Sequence, residues 1–300
     1  MLQRARAQGG TALAWVQGLG ALIAELEHDW GIAVGATLYG GTGSFVAEAR
    51  TAAGEEAVLK VGMPAFEPFA HEIRVVAIAD GRGYARLLRH DETRNAALLE
   101  RLGPRLSELG LPIRTQIEII CATLRSAWAP ISPNEGFITG AEKAVYLSNE
   151  INRMWRELGK PCSARVIDAA LAYAENRRRA FDPRTAVLVH GDAHSANTLK
   201  VLKPEDTEFK FIDPDGLFAE RAYDLAIPMR EWSEELLAGD ALRLGQERCA
   251  LLSELTDIDP QAIWEWGFIE RVSTGLLCLT LGFEEWGRAS LEVAEAWAKP

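Results

Sequence analysis

The chain has 300 residues, 48% of them hydrophobic and 25% charged, which is typical of a soluble globular protein with room for two joined domains. Its net charge of −11 is concentrated at one end, because residues 1–203 hold 24 basic and 22 acidic side chains whereas residues 204–300 hold 8 and 21. This charge argues against a nucleic-acid partner and favours a cationic ligand or a solvated acidic surface, and the lack of a long uncharged apolar run or a signal-peptide core predicts a cytoplasmic protein without membrane association.

The first hundred residues predict one helix and an antiparallel sheet. An amphipathic helix is expected over residues 12–29, ending at Gly31, because apolar side chains recur at helical spacing at Trp15, Leu19, Leu22, Ile23 and Leu26. Extended runs broken by glycine and turn residues predict an antiparallel meander over residues 34–39, 45–50 and 57–61. Two more extended runs, at residues 84–89 and 96–102, complete an expected five-stranded antiparallel sheet.

A glycine-rich loop, Gly40-Gly41-Thr42-Gly43-Ser44, connects the first two strands. No helix follows it, which excludes a Rossmann fold, and no Gly-Lys-Ser/Thr sequence indicates a P-loop. Such a hairpin is most often only a turn, but protein-kinase-like folds lay one over nucleotide phosphates when a lysine and an acidic helix follow. Lys60 lies in the otherwise apolar third strand, and Glu72 follows in the helical pattern of residues 71–80. When Lys60 is considered without the other motifs, the alternative is an edge-strand lysine that points to water.

A glycine-proline pair, Gly103-Pro104, predicts a boundary between two domains. Residues 1–103 would form the nucleotide-binding N-lobe, and residues 104–300 the C-lobe with the catalytic loop, metal site and acceptor site. The main chain at Glu100 and Leu102 would read the adenine edge through its N–H and C=O groups. Helical patterns dominate beyond Pro112, over residues 117–128, 147–158, 166–174 and 262–297.

The most informative stretch is the loop that follows the apolar run Val187–Val189. His190, Asp192 and Asn197 have the H-x-D-x-x-x-x-N spacing of the protein kinase catalytic loop, in which the aspartate receives the acceptor's proton and the asparagine holds a metal ion. A strand then ends in the turn Asp213-Pro214-Asp215-Gly216, whose carboxylates suit Mg²⁺. Paired acids also occur in glycoside hydrolases, but such an enzyme would not explain Lys60 or the glycine loop.

These motifs together resemble the aminoglycoside phosphotransferase family of kinase-like enzymes. Its signature H-G-D-x-H-x-x-N is read from His190 to Asn197, and its metal-binding I-D pair at Ile212-Asp213. Shorter motifs resemble the branch of streptomycin 6-phosphotransferases and hydroxyurea phosphotransferases, at residues 40–44, 58–62, 80–83, 98–102 and 212–216. The resemblance implies an α+β, bilobal protein-kinase-like fold, with an N-terminal antiparallel β-sheet lobe flanked by a helix and a mainly helical C-terminal lobe.

The resemblance also implies a role for each motif residue. Asp192 would be the general base or hydroxyl-orienting group, and Asn197 and Asp213 would hold Mg²⁺. The residues implied in ATP binding are Lys60, Glu72, Gly41, Thr42, Gly43, Ser44, Glu100 and Leu102. The residues expected to support the site are His190 and His194 as hydrogen-bonding scaffold, Asp215 beside the metal or in its turn, and Asp224 as a brace for the loop. The acceptor-binding candidates are Glu231, Trp232, Glu235 and Glu284.

The implied reaction is transfer of the γ-phosphoryl group of ATP to a hydroxyl group. A cationic aminocyclitol antibiotic of the streptomycin type would suit the acidic C-terminal third. The alternatives are a kinase that acts on another small metabolite or on hydroxyurea, and a nucleotide-binding protein without catalysis. We expect the protein to be a monomer or a homodimer.

Overall fold

The computed structural model describes residues 10–38, 43–63, 68–132, 135–202 and 208–298. The chain divides into two compact units. The first unit comprises Met1–Arg105 and Leu199–Asp215, and the second comprises Leu106–Thr198 and Gly216–Pro300. Asp213 thus belongs to the same unit as Lys60.

The first unit is built on an antiparallel sheet. In the described residues its five strands are β1 (Ile32–Thr37), β2 (Ser44–Thr51), β3 (Glu56–Gly62), β4 (Leu87–Asp91) and β5 (Ala96–Glu100). They are ordered β1-β2-β3-β5-β4, so β3 is central, and Lys60 on β3 lies opposite Val46 on one side and Ala97 on the other. The predicted antiparallel sheet is confirmed, and its first three strands form the expected meander, while β5 lies between β3 and β4.

Helix α1 (Gly10–Trp30) covers one face of this sheet. Its buried Leu19 and Leu26 pack in one cluster with strand residues that include Leu59 and Leu98. The predicted apolar stripe is therefore part of the core. Gly31 ends the helix as expected, because its φ of 63° lies in the left-handed region that glycine adopts without strain. Helix α2 (Pro68–Ala79) follows β3 and carries Glu72.

The fourth strand begins later than the sequence predicts. Tyr84 forms an isolated bridge with Phe211, and the backbone N–H of Ala85 donates to the Phe211 carbonyl at 2.9 Å, so the start of the predicted strand 84–89 pairs outside the five-stranded sheet. Phe211 ends β8 (Phe209–Phe211), which pairs with β7 (Thr198–Lys200). This small sheet leads the chain into the Asp213 turn.

The second unit is mainly helical, as predicted. Its elements are α3 (Ile113–Ala127), α4 (Gly140–Glu157), α5 (Ala164–Ala180), β6 (Val187–Val189), β9 (Leu217–Ala219), α6 (Ala222–Arg230), α7 (Ser233–Leu237), α8 (Ala241–Thr256), α9 (Pro260–Thr280) and α10 (Glu284–Trp297). Several helices begin at standard caps: Thr139 and Glu142 form a capping box before α4, and Asp259 caps α9 with Pro260 at its first turn.

Helix α9 forms the centre of the second unit. Trp266 packs edge-on against Tyr223 of α6, with ring centroids 4.9 Å apart, and Phe268 packs against Tyr173 of α5. Strand β6 pairs antiparallel with β9 and delivers the chain to the loop that starts at His190. Among the described helices, none is both long enough and apolar enough to span a bilayer.

Candidate active site

A buried lysine meets two carboxylates in the first unit. Nζ of Lys60 donates to Oε1 and Oε2 of Glu72 at 2.6 and 2.7 Å and to Oδ1 of Asp213 at 2.5 Å. The side chains of Lys60 and Glu72 are only 8% and 11% exposed, whereas that of Asp213 is 45% exposed. A charge in a strand core is stable only with such partners, so this triad accounts for Lys60 in an apolar strand.

The triad contains two carboxyl groups and one ammonium group. Burial lowers the pKa of Lys60, but the carboxylates of Glu72 and Asp213 outweigh it, and the net effect raises the pKa above its usual value. Burial, with a smaller contribution from the charge of Asp213, raises the pKa of Glu72 to about 7, and the charge of Lys60 opposes this rise. Lys60 therefore stays cationic, and the cluster can exchange a carboxylate for another anion such as a phosphate oxygen.

The turn after β8 holds Asp213 in a left-handed conformation, with φ at 55°, and Gly216 follows with φ at 66°. Asp215 is exposed, and its charge contributes to the raised pKa of Glu72. A non-glycine residue at positive φ is uncommon, and in this turn it turns the Asp213 carboxylate towards Lys60.

The other expected nucleotide-binding residues lie at the ends of strands. Gly41 and Thr42 lie outside the described residues. The Gly43 carbonyl accepts from the N–H of Met63, and Ser44 begins β2 and is buried. The structure places Gly43 and Ser44 beside the end of β3, the strand that carries Lys60.

Glu100 and Leu102 continue from β5. The Glu100 carboxylate accepts from Nζ of Lys210 at 2.8 Å and from the N–H of Arg86 at 3.0 Å, so this side chain has partners within the first unit. Leu102 is buried and packs with Ala85 and other apolar residues. Adenine recognition through the main chain of Glu100 and Leu102 would require neither side chain. That recognition stays a prediction.

In the second unit, Asp224 braces the loop that follows β6. Its fully buried carboxylate accepts from the N–H groups of His190 and Gly191 at 2.9 and 2.7 Å and from Nε1 of Trp128 at 2.9 Å. Burial raises the pKa of Asp224 to about 6, while the three donors oppose the rise. Gly191, with φ at 89°, allows the chain to turn between these donors and Asp192.

Both carboxylate oxygens of Asp192 have partners. Oδ1 accepts from the guanidinium group of Arg230, and Oδ2 lies 3.4 Å from Nε2 of His194. The amide nitrogen of Asn197 donates to the Asp192 carbonyl at 3.1 Å and reaches Oδ2 at 3.5 Å. Burial raises the pKa of Asp192, but His194 and Arg230 outweigh it and hold the pKa well below its usual range. Asp192 is thus an oriented, ionised carboxylate.

The two histidines of the loop bind the backbone. Nδ1 of His190 accepts from the N–H of Asp192, and Nδ1 of His194 accepts from the N–H of Ala196, both at 3.1 Å. Neutral His194 therefore carries its proton on Nε2, which faces Asp192. Burial lowers the pKa of His194, but Asp192 raises it to above its usual value. With its Nε2 already protonated, His194 is a hydrogen-bond donor to Asp192 and no acceptor for the proton of a substrate.

The sequence interpretation missed two residues at this site, Arg230 and Glu270. Nη1 of Arg230 donates to Oε2 of Glu270 at 3.1 Å, while Nη2 donates to Asp192. Glu270 is buried, and its Oε1 accepts from the hydroxyl of Tyr223 at 2.6 Å. One signal was available: Glu270 lies in the largely apolar α9, whose other charged residues are Glu265 and Arg271, and a charge among apolar residues is the kind of signal that identified Lys60.

The acceptor-binding candidates separate into two groups. Glu231, Trp232 and Glu235 lie on the turn and short helix after Arg230, where the guanidinium group of Arg248 stacks on the Trp232 ring and pairs with Glu235. The charge of Glu231 contributes to the raised pKa of His194, which indicates that it lies near the loop. Glu284 starts α10 and pairs with Arg288 of the same helix at 3.0 Å.

The donor groups suit a nucleotide and a hard cation. The half-exposed carboxylate of Asp213 and the amide oxygen of Asn197, whose nitrogen is engaged by Asp192, are oxygen ligands of the type that Mg²⁺ prefers. The ammonium group of Lys60 is a point charge of the type that binds phosphate oxygens.

Comparison with known proteins identifies the family. Residues 29–278 match the family model described as aminoglycoside/hydroxyurea antibiotic resistance kinase. The chain belongs to this family. Among relatives of this kinase family, streptomycin 6-kinase from Streptomyces griseus is 29% identical over 297 residues, which cover 98% of this chain and 94% of that protein. Hydroxyurea phosphotransferase from Kitasatospora aureofaciens is 29% identical over 272 residues, which cover 86% of this chain and 76% of that protein.

Solved structures support the same fold. Choline kinase LicA from Streptococcus pneumoniae is similar with a TM-score of 0.61 at 12% identity, covering 94% of this chain and 99% of that one. Aminoglycoside phosphotransferase APH(3'')-Id from Streptomyces rimosus, in complex with ADP and streptomycin, is similar with a TM-score of 0.54 at 16% identity, covering 85% and 98%. The predicted protein-kinase-like fold is confirmed, and family and relatives together identify the chain as a phosphotransferase that acts on a hydroxyl group.

Proposed function

We propose that this kinase transfers the γ-phosphoryl group of ATP, with Mg²⁺, to a hydroxyl of an aminocyclitol antibiotic of the streptomycin type. The observation that carries the proposal is the carboxyl group of Asp192, held by Arg230, His194 and Asn197 on a loop with the family signature. The similarity to streptomycin 6-kinases over nearly the whole chain supports the acceptor.

Each polar residue has a role that suits its surroundings. Lys60, aimed by Glu72, would bind phosphate oxygens of the nucleotide, for which its buried ammonium has the right charge. Asn197 and Asp213 are the proposed ligands of Mg²⁺, which when bound would neutralise charge on the transferred group. The presence of Lys60, Asp192, Asn197 and Asp213 argues against a non-catalytic nucleotide-binding protein.

Asp192 would act on the acceptor. The acceptor oxygen forms its bond to the γ-phosphorus while the bond to ADP breaks, and its proton passes to Asp192 and then to solvent. Because the pKa of Asp192 is held low, it would orient the hydroxyl and take its proton late, as suits a loose transition state in which positioning dominates.

The local charges favour a cationic acceptor. Glu231 lies near His194, and residues 204–300 carry 21 acidic against 8 basic side chains. Streptomycin carries guanidinium groups, and carboxylates bind such groups through charge-assisted hydrogen bonds. Glu231 and the adjacent ring of Trp232 are therefore the proposed acceptor contacts, and the partners of Glu235 and Glu284 give these two a smaller part.

A second candidate acceptor is hydroxyurea, since a hydroxyurea phosphotransferase is as similar in identity as the streptomycin 6-kinase. Hydroxyurea is neutral, so the acidic residues would contribute little to its binding. Another small hydroxylated metabolite remains the broader alternative.

An acceptor panel tests the proposal. The purified protein with ATP and Mg²⁺ would be assayed for ADP release with streptomycin, other aminocyclitols, hydroxyurea and sugar alcohols, and the phosphorylated hydroxyl would be located by phosphorus and proton NMR. We expect the highest kcat/KM with streptomycin, and Asp192→Asn should abolish turnover while nucleotide still binds. Turnover of hydroxyurea alone would replace the streptomycin assignment.

A further inference from the structure

We propose that Arg230 is a positioning residue that holds the carboxylate of Asp192 for the acceptor hydroxyl. This inference rests on the proposed function, because it gives Arg230 a part in the reaction that Asp192 performs. Nothing in the family motif includes Arg230, which lies 38 residues after Asp192 at the end of α6.

Arg230 connects Asp192 to a rigid anchor. One nitrogen of its guanidinium group donates to Oδ1 of Asp192, and the other donates at 3.1 Å to Glu270, which also accepts from Tyr223. The side chains of Arg230 and Glu270 are only 17% and 6% exposed. Charge-assisted hydrogen bonds in such surroundings are strong and directional. The guanidinium group of Arg230 therefore holds the Asp192 carboxylate at a fixed position relative to Glu270 of α9.

The end of α6 is itself fixed against α9. A Cβ atom on Gly267 would lie 2.6 Å from Cβ of Met229, so the two helices approach as closely as only glycine permits. Nη2 of the fully buried Arg271 donates to the Met229 carbonyl at 2.6 Å. These contacts hold the residue immediately before Arg230 on the side of α9 that carries Glu270.

The turn after Arg230 is held in the same way. Nη1 of Arg248 donates to the Glu231 carbonyl at 2.7 Å, and its guanidinium group stacks on Trp232, which has a left-handed φ of 52°. A left-handed tryptophan costs backbone energy and persists only where the surroundings impose it. The backbone is thus held on both sides of Arg230, and its largely buried side chain is paired with Glu270 and Asp192.

A purely structural pair would not need Asp192. Glu270 alone could balance the charge of Arg230, yet Arg230 also binds the side of Asp192 opposite to that bound by His194 and Asn197. With Oδ1 held by Arg230 and Oδ2 held on the other side, the plane of the carboxylate is fixed. That is the requirement for a group whose contribution is to orient a hydroxyl.

The test removes the guanidinium group of Arg230 by substitution and then supplies a guanidinium compound in solution. Arg230→Ala should lower kcat by about 10²-fold with little change in the KM for ATP, because a small misplacement of a reacting group costs about that much. Millimolar methylguanidinium should restore part of the rate, and Arg230→Lys should lie between the variant and wild type, since an ammonium keeps one contact. A loss of less than threefold in kcat, or no rescue by methylguanidinium, would overturn the proposal.

Arg177 supplies a matched control. It is 10% exposed and also bridges two carboxylates, at 2.5 Å to Glu265 and 3.4 Å to Glu220, without contacting Asp192. Arg177→Ala should lower the unfolding temperature but leave kcat unchanged and unresponsive to methylguanidinium. An equal loss of kcat in Arg177→Ala would assign the effect of Arg230 to general destabilisation.

Two readouts separate this proposal from the identity of the acceptor. The slow hydrolysis of ATP uses water as the acceptor hydroxyl and can be measured in every variant even if no aminocyclitol is phosphorylated. Crystal structures of wild type and Arg230→Lys provide a readout that does not depend on activity. We expect the Asp192 carboxylate to rotate or to adopt more than one conformer in the variant. An unchanged, well-ordered Asp192 would overturn the role of Arg230, whereas inactivity towards streptomycin would overturn only the proposed acceptor.

Discussion

The ammonium nitrogen of Lys60 lies 2.5 Å from Oδ1 of Asp213, the carboxylate proposed to bind the metal ion. Lys60 therefore pairs with Asp213 as well as with Glu72. A metal ion and phosphate groups would take over these charges, since each carboxylate needs a cation and Lys60 needs an anion. The stability of the first unit and the proposed binding of nucleotide and metal thus involve the same three side chains.

Removing Lys60 should destabilise the protein strongly. Lys60→Met leaves the buried carboxylate of Glu72 without its cation, and breaking such a pair from one side costs about 3–5 kcal/mol. The double variant Lys60→Met/Glu72→Met should recover most of this loss, because two apolar side chains replace the buried pair. Urea unfolding of Lys60→Met, Glu72→Met and the double variant measures the coupling free energy between the two side chains. A double variant no more stable than Lys60→Met would contradict the stabilising role of the pair. Lys60→Met and the double variant should both be inactive.

Asp213 should separate metal binding from stability. Asp213→Asn removes a proposed Mg²⁺ ligand but leaves Lys60 paired with Glu72, so we expect an unfolding midpoint near that of wild type and a rate reduced at least 10²-fold at saturating Mg²⁺. Asp215→Asn, two residues later and also exposed, is the control and should retain most of the rate. Titration of the rate with Mg²⁺ in both variants checks the assignment, which fails if Asp215→Asn is the more damaging change.

The sequence was sufficient to identify those candidate site residues that belong to local patterns. Lys60 stood out as a charge in an apolar strand, and Asp192 and Asn197 by their spacing in one loop. Arg230 and Glu270 could not be paired with Asp192 from the sequence, since their contact depends on how α6 packs against α9. The bounds of β4 were missed for a similar reason, because Tyr84 and Ala85 bond to Phe211, which is distant in the chain.

The acceptor candidates should differ in their effect on KM. Glu231→Gln should raise the KM for a cationic acceptor about 10-fold or more and leave the KM for ATP unchanged, because a hydrogen bond to a charged group contributes about 1.5–3 kcal/mol. Glu284→Gln is the control, since Glu284 pairs with Arg288 on its own helix. Initial rates over a matrix of acceptor and ATP concentrations give both constants. Equal effects of the two substitutions would remove Glu231 from the acceptor site.

Asp224 should make stability depend on pH in a direction opposite to that of an ordinary ion-paired carboxylate. Burial raises its pKa from 3.8 to about 6 in the folded protein, so its contribution to stability is present below pH 3.8 and is lost as the pH rises through about 6. The full loss corresponds to roughly 3 kcal/mol. Asp224→Asn cannot ionise, so the stability difference between wild type and variant should shrink between pH 4.5 and pH 7.5. Urea unfolding of both proteins across this range measures the difference, and a difference that grows with pH would show that the donors at His190, Gly191 and Trp128 outweigh burial.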